Sequence, residues 1–115
     1  VQIKRTNTEG ALTDLGLGLE IDNFDLYGEA YGSSRGTVDL GVTMTESCLY
    51  EIKIVHVPGV RVEFWVGEEL KGTLTGDHVP SGGASSYYVF SMINGPTGGV
   101  NAYFQIGNII IVQER

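Results

Sequence analysis

The sequence predicts an all-β domain, an antiparallel sandwich of about eight or nine strands. Apolar and polar residues alternate along several short runs, which is the period of a strand with one buried face. Glycine-rich turn signals recur at intervals of roughly 8–12 residues, as is typical of sandwiches and barrels. Glycine is abundant, at 17 of 115 residues, and no run has the 3.6-residue period of an amphipathic helix.

The length and composition indicate one domain that spans residues 1–115. A chain of this size can bury roughly 65% of its unfolded surface, which is enough for one core. The net charge of −7, with only 7 lysine and arginine residues, argues against a nucleic-acid partner, and no apolar run is long enough for membrane insertion. Cys48 is the single cysteine, so we expect a buried thiol and no internal disulfide. The sequence begins at Val1 without a signal-peptide pattern, and we expect that other residues preceded it.

Four strands are predicted in the N-terminal part of the chain. The first of them lies within residues 1–14, which alternate weakly and carry charge, and we expect an edge strand or an arm there. Residues 15–22 and 37–45 alternate strictly, with aliphatic residues or methionine facing inwards and glycines or polar residues facing outwards. The stretch 25–31 is a further predicted strand, followed by a turn at Gly32–Gly36.

The clearest alternation is in Cys48–Thr75, which predicts three strands joined by two tight turns, the first at Pro58-Gly59. The inward face of the middle strand carries Val60, Val62, Phe64 and Val66. Its outward face carries Arg61, Glu63 and Trp65. Because the chain's only tryptophan lies in this outward row, we predict that the row is a binding surface.

The C-terminal part is predicted to complete the sandwich. After the turn-rich segment 76–86, the stretch Tyr87–Ile93 reads as a strand that is apolar on both faces, which suits packing against another subunit. Tyr87 and Tyr88 are therefore further candidates for binding. A turn at 94–99 precedes a last strand or bent pair of strands within 101–113.

Residues 50–72 resemble the concanavalin A-like lectin/glucanase family, a jelly-roll sandwich family that includes laminin-G-like modules. The segment reads YEIKIVHVPGVRVEFWVGEELKG, with an aromatic and apolar strand, a turn, a V-E-F-W-V strand, a glycine-containing turn and a leucine-bearing strand. Later segments, HVPSGG, YYVFSMINGPTGG and NAYFQIGNIIIVQER, look like the remaining strands, so the resemblance covers roughly residues 15–115. It implies a jelly-roll topology, and since this fold hosts enzymes, lectins, adhesion modules and virus-particle proteins, it leaves function open.

The carboxylates around Glu20 are the closest approach to a catalytic or metal-binding pattern. The glycosidase branch of the family uses E-x-D-x-x-E on one strand, and retaining enzymes need two carboxyl groups about 5–5.5 Å apart. Asp25 stands where the second glutamate belongs, so we expect no enzyme. Asp22, Asn23 and Asp25 are the best candidates for a calcium site, but calcium takes about six to eight oxygen ligands, and we expect no cofactor.

The leading functional hypothesis is a non-enzymatic structural or adhesion module. We expect a component of a virus particle or similar extracellular assembly, such as a capsid decoration or tail protein, that self-associates or binds other structural subunits. Strand-forming residues near both ends of the sequence suit pairing with neighbours. The alternative is a carbohydrate-binding, lectin-like module that uses Trp65, the tyrosines and the turns at 76–86 and 94–99.

Overall fold

Antiparallel strands make up most of the described chain. The computed structural model describes residues 2–6, 16–22, 24–45, 50–81 and 87–91, with the backbone alone for the first and last of these ranges. The strands are β1 (Gln2–Thr6), β2 (Gly16–Asp22), β3 (Asp25–Tyr31), β4 (Arg35–Thr43), β5 (Ile52–Val57), β6 (Arg61–Val66), β7 (Glu69–Thr75) and β8 (Tyr87–Ser91). A three-residue 3-10 helix, Gly76–His78, is the only helix in these ranges. The prediction of an all-β protein is confirmed.

The strands form two antiparallel sheets. The first sheet has five strands in the order β4-β3-β2-β1-β8, and the second has three in the order β5-β6-β7. β1 was expected at an edge or as an arm, but it lies between β2 and β8, and Ile3 is opposite Leu19 on one side and Phe90 on the other. Alternation along a strand reports which of its faces is buried and carries no information on how many of its edges are paired.

The two sheets pack face to face around one apolar core. The first sheet contributes Leu19, Leu26, Ala30 and Leu40, the second contributes Val62, Phe64 and Leu74, and the segment after β7 adds Val79. Glycines allow the sheets to approach closely, since a Cβ atom built on Gly28 would lie 2.6 Å from the Phe64 ring. A Cβ atom on Gly72 would likewise meet Leu40 at 2.9 Å. This packing is that of a β-sandwich.

Most of the predicted strands coincide with observed ones. The stretches 15–22, 25–31 and 37–45 correspond to β2, β3 and β4, and the three strands expected within 48–75 are β5, β6 and β7. Val60 differs from the prediction, because it lies in the β5–β6 turn and is 54% exposed. β8 covers the first five residues of the strand expected at 87–93, whereas the elements expected at 94–99 and 101–113 lie outside the described residues.

The segment after β7 ties the two sheets together at one end of the sandwich. The Asp77 carbonyl accepts a hydrogen bond from the Ser33 N–H in the β3–β4 turn, with an N···O distance of 2.8 Å. The Pro80 carbonyl accepts hydrogen bonds from the Gly59 N–H at 2.9 Å and from His56 Nε2 at 2.8 Å. These bonds give His56 a structural role in closing the fold.

Candidate functional site

The outward side of the second sheet brings together three of the residues expected to bind a partner. Arg61, Glu63 and Trp65 alternate along β6 with the buried Val62 and Phe64, as the sequence predicts. Lys53 on β5 and Leu70 on β7 are the ladder partners of Trp65 on either side. We call the surface formed by Lys53, Arg61, Glu63, Trp65 and Leu70 the Trp65 face.

Hydrogen bonds link the outward row along β6. One carboxylate oxygen of Glu63 accepts a hydrogen bond from Arg61 Nε at 2.6 Å, and the other accepts one from Trp65 Nε1 at 3.0 Å. The bond from Arg61, and then that from Trp65, lower the pKa of Glu63 below its usual value. Glu63 is therefore ionised at neutral pH, and it holds the indole and the guanidinium in fixed positions.

The Trp65 ring is covered on one face by a cation. The Lys53 ammonium lies 4.6 Å from the ring centroid, which is the distance of a cation–π contact. Lys53 is exposed and Trp65 is half-buried. A sugar that stacks on an aromatic ring needs a bare ring face, and on this side the ammonium already occupies that position.

A β-bulge explains why Leu70 belongs to this surface. The register of β6 and β7 shifts between Phe64 and Trp65, so that Trp65 is opposite Leu70. Leu70 is 48% exposed, so it extends the apolar part of the surface next to the indole. A strict alternation of inward and outward residues does not predict this shift in register. Leu70 could therefore not be assigned to the surface from the sequence. Lys53 could have been found, because the short turn between β5 and β6 sets the register that pairs it with Trp65.

The outward side of the first sheet carries an acidic depression. It is open, has a volume of about 160 Å³, and is lined by Glu20, Asp22, Tyr27, Arg35 and Thr37. The Arg35 guanidinium donates to the fully buried Glu29 at 2.6 Å and lies 3.3 Å from Glu20. Partial burial, followed by the carboxylates of Asp39, Asp25, Asp22 and Glu20, raises the pKa of Tyr27, so its hydroxyl stays protonated at neutral pH.

Of the acidic residues considered for catalysis or calcium, Glu20 and Asp22 line the same depression and Asp22 is opposite Asp25, but Glu20 and Asp25 already have partners. Glu20 is paired with Arg35, and Asp25 accepts a hydrogen bond from the Thr43 hydroxyl at 2.7 Å. Asp22 is exposed at the end of β2, and Asn23 lies outside the described residues. Within the part of the chain that is described, no group of three or more histidine, cysteine, aspartate or glutamate side chains is placed to hold a metal ion.

Phe24 forms the tip of the β2–β3 hairpin and has a strained backbone. Asp22 and Asp25 pair across the two strands, and Phe24 lies in the turn that joins them. Phe24 has φ of 70°, and of the described residues it is the only non-glycine with positive φ. Its side chain is 56% exposed, and its carbonyl accepts a hydrogen bond from the Met44 N–H at 2.7 Å. No sequence signal marks this conformation, since turns of this kind favour Asn or Gly.

Tyr87 and Tyr88 are not on the sheet that carries Trp65. Both belong to β8, which pairs with β1 in the first sheet, with Tyr88 opposite Arg5. Their side chains lie outside the described residues. The five residues predicted to bind are thus divided between the two sheets.

Comparisons with known proteins give no relative. No family model, curated protein or solved structure matches this chain. In the described ranges, none of the helical structure has the length and apolar character needed to cross a bilayer. Function is therefore inferred from the geometry of the two sheets.

Proposed function

We propose that this chain is a non-enzymatic jelly-roll module that works by assembly, with the Trp65 face as its contact surface and a second copy of the chain as its partner. One observation carries the proposal. The Arg61–Glu63–Trp65 row presents a half-buried tryptophan whose N–H group is already hydrogen-bonded within the monomer.

Such a surface loses little when water is removed from it. A buried polar group without a hydrogen bond costs about 1–3 kcal/mol, so surfaces with many unsatisfied groups resist burial. Here the Trp65 N–H and both Glu63 carboxylate oxygens have partners on the same strand. Tryptophan and arginine are also the residue types that contribute most at protein interfaces, and Leu70 adds exposed apolar area beside them.

The setting that we propose is a virus particle or similar extracellular assembly, as a capsid decoration or tail component. The jelly-roll topology and this setting are supported by the resemblance of residues 50–72 to the concanavalin A-like family. The face-to-face packing of two antiparallel sheets supports the β-sandwich that this family also has. The carbohydrate-binding alternative would also use Trp65. It is disfavoured by the position of Lys53, which lies over one face of the only indole ring.

Light scattering coupled to size-exclusion chromatography over a concentration series tests the proposal. We expect the wild-type chain to associate into an oligomer, and Trp65→Ala and Leu70→Ser to shift it towards monomer. Val60→Ser is the matched control, because Val60 is an equally exposed aliphatic residue, at 54% against 48% for Leu70, and lies in the β5–β6 turn outside the Trp65 face.

Two outcomes would contradict self-assembly through this surface. One is a wild-type chain that remains monomeric at every concentration. The other is an oligomer that Trp65→Ala and Leu70→Ser leave unchanged. A stable monomer that binds a glycan in titration calorimetry, and loses this binding in Trp65→Ala, would favour the carbohydrate-binding alternative instead.

A further inference from the structure

We infer that the assembly is head-to-tail, with the Phe24 tip of one copy docked on the Trp65 face of the next. The Phe24 tip is the end of the β2–β3 hairpin, formed by Asp22, Phe24 and Asp25. The inference rests on the proposed function, because it takes the Trp65 face as one half of the contact. It adds that the other half of the contact is the Phe24 tip.

The strained and exposed position of Phe24 indicates that its side chain binds a surface outside the monomer. A bulky side chain at φ of 70° is unfavourable, and glycine or asparagine would adopt this turn more easily. In the monomer the Phe24 side chain is 56% exposed, so burial within its own chain does not compensate for the strain. Backbone strain that the fold maintains without local benefit is characteristic of functional positions.

The tip is held in place before any partner arrives. The Phe24 carbonyl accepts a hydrogen bond from the Met44 N–H at 2.7 Å, and the Asp25 carboxylate accepts one from the Thr43 hydroxyl at 2.7 Å. Both bonds join the hairpin tip to the end of β4. A side chain presented on a fixed backbone loses less conformational entropy on binding than one on a free loop.

The charges on the two contact surfaces are complementary. The Phe24 tip contains the carboxylates Asp22 and Asp25 and no cation. The Trp65 face contains the cations Lys53 and Arg61 and the carboxylate Glu63. The tip therefore has two net negative charges and the face has one net positive charge. Docking the acidic tip on the Trp65 face is electrostatically favoured over pairing either surface with its own copy.

A contact between two different surfaces has a consequence for the assembly. Each copy keeps one unused tip and one unused face after the first contact, so association continues to a ring or an open chain. A symmetric dimer through the Trp65 face alone would stop at two copies. The two arrangements can therefore be separated by mixing variants.

The test uses Phe24→Gly and Trp65→Ala, alone and mixed, with sedimentation velocity as the measurement. Glycine accepts φ of 70°, so Phe24→Gly removes the aromatic ring and leaves the turn in place. We expect each variant alone to lose association. An equimolar mixture should form a dimer and stop there, because one variant retains the face and the other retains the tip. Phe24→Asn should match Phe24→Gly, and the dissociation constant of the mixed dimer should rise with ionic strength.

Different results overturn the inference and the proposed function. If Phe24→Gly and Phe24→Asn assemble like the wild-type chain, the tip has no part in the contact, although the Trp65 face can still mediate assembly. If Phe24→Gly loses association but the mixture remains monomeric, the tip and the face do not bind each other. If the wild-type chain itself is monomeric, the proposed self-assembly is wrong and the head-to-tail contact falls with it.

Discussion

The same ion pair occurs on both sheets and has a different role on each. Arg35 and Glu29 on the first sheet, and Arg61 and Glu63 on the second, both have a guanidinium Nε atom 2.6 Å from a carboxylate oxygen. The Glu29 side chain is 0% exposed, whereas that of Glu63 is 17% exposed and also binds the Trp65 indole. The first pair therefore balances a charge inside the protein, and the second organises a surface.

Burial determines how much each pair contributes to stability. A charge that is removed from water needs a partner in the interior, and loss of that partner is strongly destabilising. A pair near the surface is screened by water and contributes little to folding. We therefore expect loss of the Glu29 pair to lower the stability of the fold, and loss of the Glu63 pair to weaken binding through the Trp65 face.

The largest predicted effect is that of removing the arginine from the buried pair. Arg35→Met should lower the free energy of unfolding by about 3 kcal/mol, since the buried Glu29 carboxylate would lose the guanidinium that lies beside it. This is the low end for a buried pair, because the Arg35 side chain is 39% exposed. Urea denaturation at neutral pH followed by circular dichroism measures the change.

Arg61→Met is the matched control for this prediction. Its side chain is 43% exposed, close to that of Arg35, and it makes the same Nε–carboxylate bond. We expect Arg61→Met to have little effect on unfolding, as is usual for ion pairs near the surface. Equal losses of stability in the two variants would show that burial of Glu29 does not make its ion pair more important for folding than the pair of Glu63.

The sequence predicted the features that depend on local alternation. Val62 and Phe64 are buried, while Arg61, Glu63 and Trp65 face outwards together, because successive side chains in a strand point to opposite faces. The all-β class and most strand positions follow from the same period. These predictions required no knowledge of which strands are neighbours.

The features that the sequence missed depend on non-local pairing or on turn geometry. The interior position of β1 and the bulge that places Leu70 opposite Trp65 are set by cross-strand register. The burial of Glu29 requires Arg35 from the next strand beside it. Phe24 adopts a conformation that its residue type disfavours, so propensity argues against the observed structure.

The next prediction concerns the strained tip of the first sheet, which has no counterpart in the two turns of the second. Those turns have glycine at their positive-φ positions, Gly59 and Gly67. Phe24→Gly should therefore raise the free energy of unfolding by about 1 kcal/mol, because it removes the left-handed strain. Thermal unfolding of wild type and variant measures the increase.

Phe24→Ala distinguishes the effect of backbone strain at position 24 from the effect of losing the aromatic ring. Alanine also removes the ring but keeps a Cβ atom, so the left-handed penalty remains and no comparable stabilisation is expected. If glycine and alanine change the melting temperature equally, the effect does not come from the backbone conformation at φ of 70°.

The smallest predicted effect is a pH-dependent change at the Trp65 face. The Arg61 and Trp65 hydrogen bonds lower the pKa of folded Glu63 below its unfolded value, so this carboxylate contributes stability above the ordinary glutamate pKa. That contribution is lost as the pH falls through the lowered folded value. Since Trp65 is the only tryptophan, its fluorescence reports the step directly, and we expect an acid transition below the usual glutamate range. Glu63→Gln should abolish the transition, whereas Glu69→Gln should retain it, because the partner of Glu69 is Lys71, whereas Glu63 accepts the indole hydrogen bond. A transition that persists in Glu63→Gln would assign the fluorescence change to another group and would remove the link between this carboxylate and the contact surface.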